Sequence, residues 1–288
     1  MGSRTLLNLG LLLALALLVL LVVLEPGREP DTGPSPLTAL GIADIHRIQL
    51  ARGEETPRLL YREGEHWYLD GNPPLEAETA QVRQLLRLAQ EPAQRRYAAT
   101  NLDLARIGLG PDAHRVIFND EVELRFGTTD PLDGLRYVQR DGEISLVRDF
   151  YQHLVEANAE HWVSRRLLPG GQAIVALELP ELKLHRDAEG RWQLQPEQPD
   201  IGSDAIIALL ERWRHANALR VERSELREPG LWVRVRLEGQ EAPVEFQLRQ
   251  VGDDWRFLRT DLGLEYRVAD HTTRQLLRLS PAVNETTP

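Results

Sequence analysis

The chain has 288 residues, 27% of them charged and 42% apolar, the balance of a folded globular body rather than a disordered one. Its formal net charge of −10 argues against a broad electrostatic attraction to nucleic acid. It has no cysteine, which removes disulfides, thiol nucleophiles, thiolate metal sites and an N-terminal lipid-bearing cysteine.

The first element is the apolar run Leu6 to Leu24, relieved only by Asn8 and Gly10. At about 1.5 Å per residue it would extend roughly 28 Å, close to the hydrocarbon thickness of a bilayer. It ends Val22-Val23-Leu24-Glu25-Pro26, with bulky residues where a signal peptidase requires small ones. An uncleaved transmembrane anchor over residues 6–24 is therefore expected. Arg4 precedes the run, whereas Glu25, Arg28, Glu29 and Asp31 follow it. The positive-inside rule then places residues 1–5 in the cytoplasm and the body on the other side. Residues 25–40 begin with Pro26, Pro30, Pro34 and Pro36 and read as a semi-extended linker. Residues 281–288 read as a disordered tail.

The body reads as a duplication. Leu59, Trp67 and Leu69 recur as Leu184, Trp192 and Leu194 at an offset of 125. In both copies two strands flank an acidic-glycine turn, which is hairpin chemistry. A helix follows. Val82, Leu85, Leu86 and Ala89 form one apolar stripe, and Ile206, Leu209, Leu210 and Trp213 repeat it at an offset of 124. Ser203 is the expected N-cap of the second helix. Val122-Glu123-Leu124 then matches Val244-Glu245-Phe246, and Val147 with Asp149 matches Val268 with Asp270. The late segments alternate with period two, as half-buried antiparallel strands do. Asn119-Asp120 and Asp141-Gly142 supply turns, and Asp149 and Asp270 stand where a short closing helix needs a cap. Ala93 to Pro111 reads as an insert of the first copy. The expected fold class is α+β: one N-terminal transmembrane helix and two tandem hairpin-helix-antiparallel-strands-helix units, repeat 1 over 41–168 and repeat 2 over 172–280. Leu168-Pro169-Gly170-Gly171 is the joint.

This order, a single N-terminal span, a strand after Ile45-His46-Arg47-Ile48, an acidic-glycine-tryptophan hairpin, a leucine-rich helix and then the set again, resembles the bacterial family described as domain of unknown function 4340. The resemblance implies an envelope protein of the cytoplasmic membrane with its body in the periplasm. It also implies an accessory role beside ABC-type transport components of the kind linked to gliding motility. It carries no catalytic residues.

The residues themselves supply no catalytic, cofactor or metal constellation. None of the eight histidines has the His-Glu-x-x-His spacing of a metalloprotease. The few body serines sit in no glycine elbow. Pro169-Gly170-Gly171 lacks the Gly-Lys-Ser/Thr continuation of a phosphate loop. Asp253-Asp254 reads as a solvated turn, since glycoside chemistry needs two acids across a cleft. Trp67 and Trp192 read as anchors of helix to sheet. Arg234, Arg236, Arg249, Arg256 and Arg259 read as a solvated strand face paired with Glu238, Glu245 and Asp261. Neither an enzyme nor a cofactor is expected.

Two functional readings follow. A non-enzymatic, membrane-tethered scaffold or accessory protein requires an exposed apolar or sheet-edge patch, with side chains filling the groove between the repeats. A ligand-binding protein or enzyme requires an open polar groove there, lined by residues that break the repeat.

Overall fold

The computed structural model describes residues 35–224 and 230–279. Among them, seventeen strands build two large sheets. The first runs β4 (Leu75–Glu76), β3 (His66–Leu69), β2 (Arg58–Glu63), β1 (Arg47–Arg52), β6 (His114–Phe118), β7 (Val122–Thr129), β8 (Arg136–Arg140), β9 (Glu143–Val147), β5 (Arg95–Ala98). The second runs β12 (Trp192–Gln195), β11 (Lys183–Arg186), β10 (Ile174–Glu178), β14 (Leu231–Leu237), β15 (Val244–Val251), β16 (Asp254–Arg259), β17 (Leu264–Ala269), β13 (Arg220–Arg223). With β4 set aside the two orders coincide strand for strand, and neighbours pair antiparallel.

The expected α+β class is thereby corrected. The body is predominantly antiparallel β, and its helices are short: α1 (Thr79–Arg87), α2 (Gln152–Val155), α3 (Ser203–His215) and α4 (Asp270–Leu277). None of the helices among the described residues is long and apolar enough to cross a membrane. The expected span at 6–24, the cytoplasmic residues 1–5 and the tail 281–288 lie outside the described residues. The β content was underestimated because several strands carry no pattern. All four residues of β5 are exposed; it is a strand only because β9 lends it an edge, with Tyr97 opposite Ile144. The supposed insert from Ala93 thus begins with the counterpart of β13.

Elsewhere the local chemistry acts as written. Asn119 and Asp120 both take positive φ, 52° and 61°, which closes the β6–β7 hairpin with the strands' own twist. Gly127 lets the 99–113 loop lie on β7, because a Cβ there would sit 2.3 Å from the Ile107 carbonyl oxygen. The capping expectations fare less well. Gly202, not Ser203, holds the N-cap of α3, and Asp270 opens α4 from inside its first turn. Asp149 precedes α2 by three residues and instead receives two hydrogen bonds from Arg136, at 2.7 and 2.8 Å.

Both helical stripes bury as spaced: Val82, Leu85 and Leu86 on α1; Ile206, Leu209, Leu210 and Trp213 on α3. One continuous apolar core runs through both sheets and the joint. Trp213 is fully buried, packs 6.1 Å from Phe246 and 6.2 Å from Phe257, and donates its indole N–H to the Leu276 carbonyl, tying α3 to α4.

The joint is a backbone seam. Ser164 N–H donates to Glu76 O (2.8 Å) and Glu78 N–H to Trp162 O (2.7 Å) on one side. On the other, Leu167 N–H donates to Ala216 O and Ala218 N–H to Arg165 O. Residues 35–38 repeat that second pattern in the first half: Leu37 N–H donates to Glu91 O, and Ala93 N–H to Ser35 O. The expected linker over 25–40 is therefore already folded from Ser35.

Candidate functional site: the groove between the two sheets

The seam leaves a cavity of about 470 Å³ between the hairpin edge of the first sheet, the joint and the strand ends of the second. Alternation on β3 decides what faces it. Trp67 and Leu69 turn into the core, so His66 and Tyr68 turn outward. The short β4 sets Glu76 opposite Tyr68, with the Glu76 carboxylate 3.8 Å from His66 Nδ1. Tyr68 also stacks on Tyr61, centroids 5.9 Å apart.

The opposite wall comes from β16 and β17. Arg259 shares the core-facing side of its strand with Phe257, and its guanidinium lies 5.7 Å from the Phe246 ring. It holds Asp261 in a two-pronged pair, 2.9 and 2.7 Å, the strong geometry for guanidinium and carboxylate. Burial pushes the Asp261 carboxyl up, but the Arg259 hydrogen bonds and charge, together with backbone hydrogen bonds, outweigh it and leave it below the usual carboxylate range. The Tyr266 phenol is pushed up, first by burial, with Arg259 opposing and Asp261 and Glu76 adding to the rise. Glu76 belongs to the first sheet and Tyr266 to the second, so the two walls feel each other's charge.

The joint forms the floor. Gln240 donates to Gln172 at 2.7 Å, and Arg166 enters with a buried Nε that has no hydrogen-bond partner. Two arginines and two carboxylates therefore converge with a histidine, two phenols and two amides. Arg259 has an arginine counterpart, Arg140, but the other wall residues are not shared across the repeat: His66, Tyr68, Glu76 and Tyr266 correspond to Arg191, Gln193, Ile201 and Ser145.

The family model of the domain of unknown function DUF4340 matches residues 67–231, more than half of the chain, from Trp67 on β3 through the joint to the first residue of β14. The chain belongs to the DUF4340 family. No curated protein and no solved structure matches it. The DUF4340 match covers the joint and the hairpin wall of the groove from Tyr68 on, while His66, Arg259, Asp261 and Tyr266 lie outside it.

The other sequence candidates are dispersed. Asp253 is exposed in its turn and Asp254 pairs with Arg267. Arg234 pairs with Glu245 at 2.7 Å, and Arg249 and Arg256 reach Glu265 at 3.4 and 3.5 Å, on the outer face of the second sheet. Of that arginine set only Arg259 reaches the groove. Trp67 is buried, whereas Trp192 is half-buried beneath the Arg186 guanidinium, 5.2 Å from its ring. Among the described residues no cluster of three or more histidines and acids could hold a metal ion. Sequence reasoning missed His66 and Glu76, which neighbouring strands bring together, and Tyr266, which lies far from both in the chain. The one signal available was that these positions differ between otherwise matching repeats.

Proposed function

We propose that this DUF4340 protein is a non-enzymatic binding protein of the bacterial envelope that holds a small polar ligand in the groove between its two sheets. The observation that carries this reading is that the groove is open and polar, where a scaffold alone would have it filled. Arg166 and Arg259 are balanced there by Glu76 and Asp261, so a ligand without net charge, rich in hydroxyl or amide groups, suits it best. The Leu6–Leu24 run would tether the body to the membrane.

Thermal shift of the full chain in a neutral detergent, against neutral oligosaccharides and uncharged short peptides, tests the reading. A rise in Tm with one class is expected, lost in Arg259→Gln and in Glu76→Gln. An equal rise in both variants, or none across the panel, would sink it. A second reading, docking on an ABC-type transport component, is supported by the outer edge of β12, which no strand covers among the described residues. Co-purification of such a component from membranes, lost on changing β12 but not the groove, would favour that reading instead.

A further inference from the structure

A larger cleft, about 620 Å³, lies in the first half between α1 and the segment that follows β9. Arg83 and Arg87 line it one helical turn apart on α1, both exposed and neither with an ion-pair or hydrogen-bond partner. That sets them apart on a molecule where most described arginines are paired. Facing them is Phe150, 52% exposed, its backbone held to the helix by a Gln84 side-chain hydrogen bond to its carbonyl at 3.2 Å.

The nearby acids are already engaged. Asp149 is clasped by Arg136. Glu91 receives Arg148 at 3.2 Å and the Tyr151 hydroxyl at 2.8 Å. The two guanidinium groups therefore face the cleft with their charge uncompensated. The repeat supplies the control. On α3 the same solvent-facing positions are Ile207 and Glu211, and the position of Phe150 is His271. The basic pair and the aromatic are thus a property of the first half and not of the shared scaffold.

We propose that this cleft binds a phosphate-bearing ligand with an apolar portion, the phosphate between Arg83 and Arg87 and the apolar part against Phe150. Residues four apart on a helix are neighbours on one face, so two guanidinium forks can take different oxygens of one tetrahedral anion. A carboxylate would be satisfied by a single fork. Soluble phosphoesters and phospholipid headgroups share this chemistry.

Equilibrium dialysis of the full chain in a neutral detergent would measure inorganic phosphate and phenyl phosphate, with short-chain phosphatidylglycerol as competitor. Phenyl phosphate should bind about tenfold more tightly than inorganic phosphate, and the Arg83→Gln, Arg87→Gln double variant should weaken it at least about tenfold. Both side chains are exposed and unpaired, so that variant should keep its Tm. Displacement by the lipid below the phenyl phosphate concentration identifies a headgroup site, and weaker displacement a soluble phosphoester site; both support the proposal. Binding that survives in the double variant, or no binding of any of the three probes, overturns it.

Discussion

The first sheet carries Arg136 on β8 and the second Arg256 on its counterpart β16, one register step apart and so on opposite faces, and the same side chain does different work in each. Arg136 lies on the inward side, its side chain 7% exposed, and its guanidinium joins Asp149, Thr129, Gln152 and the Gly127 carbonyl. Arg256 lies on the outer face and reaches Glu222 and Glu265 only at 3.6 and 3.5 Å. The tryptophan pair differs likewise, Trp67 in the core and Trp192 under Arg186. Duplication kept the strand order while each half settled its own interior. The lesson is that repeat equivalence transfers topology but not energy.

The sharpest way to break this comparison is to remove both arginines in turn. Arg136→Ala should cost about 3–5 kcal/mol in denaturant unfolding, since it strands partly buried partners. Arg256→Ala should cost less, about 1–2 kcal/mol, since its ion pairs are longer and its side chain, 18% exposed, leaves fewer buried partners behind. Equal losses would mean that burial does not distinguish the halves. Trp213→Ala is expected to cost roughly 3–5 kcal/mol, because it opens a cavity and releases the α4 carbonyl; its repeat partner is Ala89, so the first half has no equivalent anchor. For the hairpin tryptophans, Trp67→Ala should cost about 3 kcal/mol and Trp192→Ala only about 1 kcal/mol, in proportion to burial. A larger loss at Trp192 would show that the Arg186 contact matters more than area.

The smallest expected effect is on pH dependence. The Arg136 hydrogen bonds, with burial opposing, hold the Asp149 carboxyl below its ordinary 3.8. A depressed carboxyl contributes stability that is complete above the ordinary value and is lost as pH falls through the folded one. Acidification below 3.8 should therefore lower the Tm of the wild type more steeply than that of Asp149→Asn. Parallel curves would remove Asp149 from the acid limb.

Much of this architecture was legible in the chain. The helix stripes, the Asn119-Asp120 turn and the paired hairpins are local patterns, set by a period of 3.6 or 2 and by residues that tolerate positive φ. The weight of β structure was not legible. β5 shows no alternation, and an edge strand is defined by the neighbour that hydrogen-bonds to it. Leu37 and Thr38, read as spacer, are buried because Glu91 and Ala89 supply carbonyls fifty residues away.

The candidate site divides the same way. Its residue types were visible, but His66, Glu76, Arg259 and Tyr266 acquire a common address only when the joint pairs with both sheets. Sequence by itself determined the duplication, the turns and the apolar faces, since these depend on neighbours along the chain. Tertiary structure alone decided which arginines are clasped, which remain unpaired in a cleft and which line an open groove. Charge compensation depends on distance through space, and no spacing in the sequence encodes it.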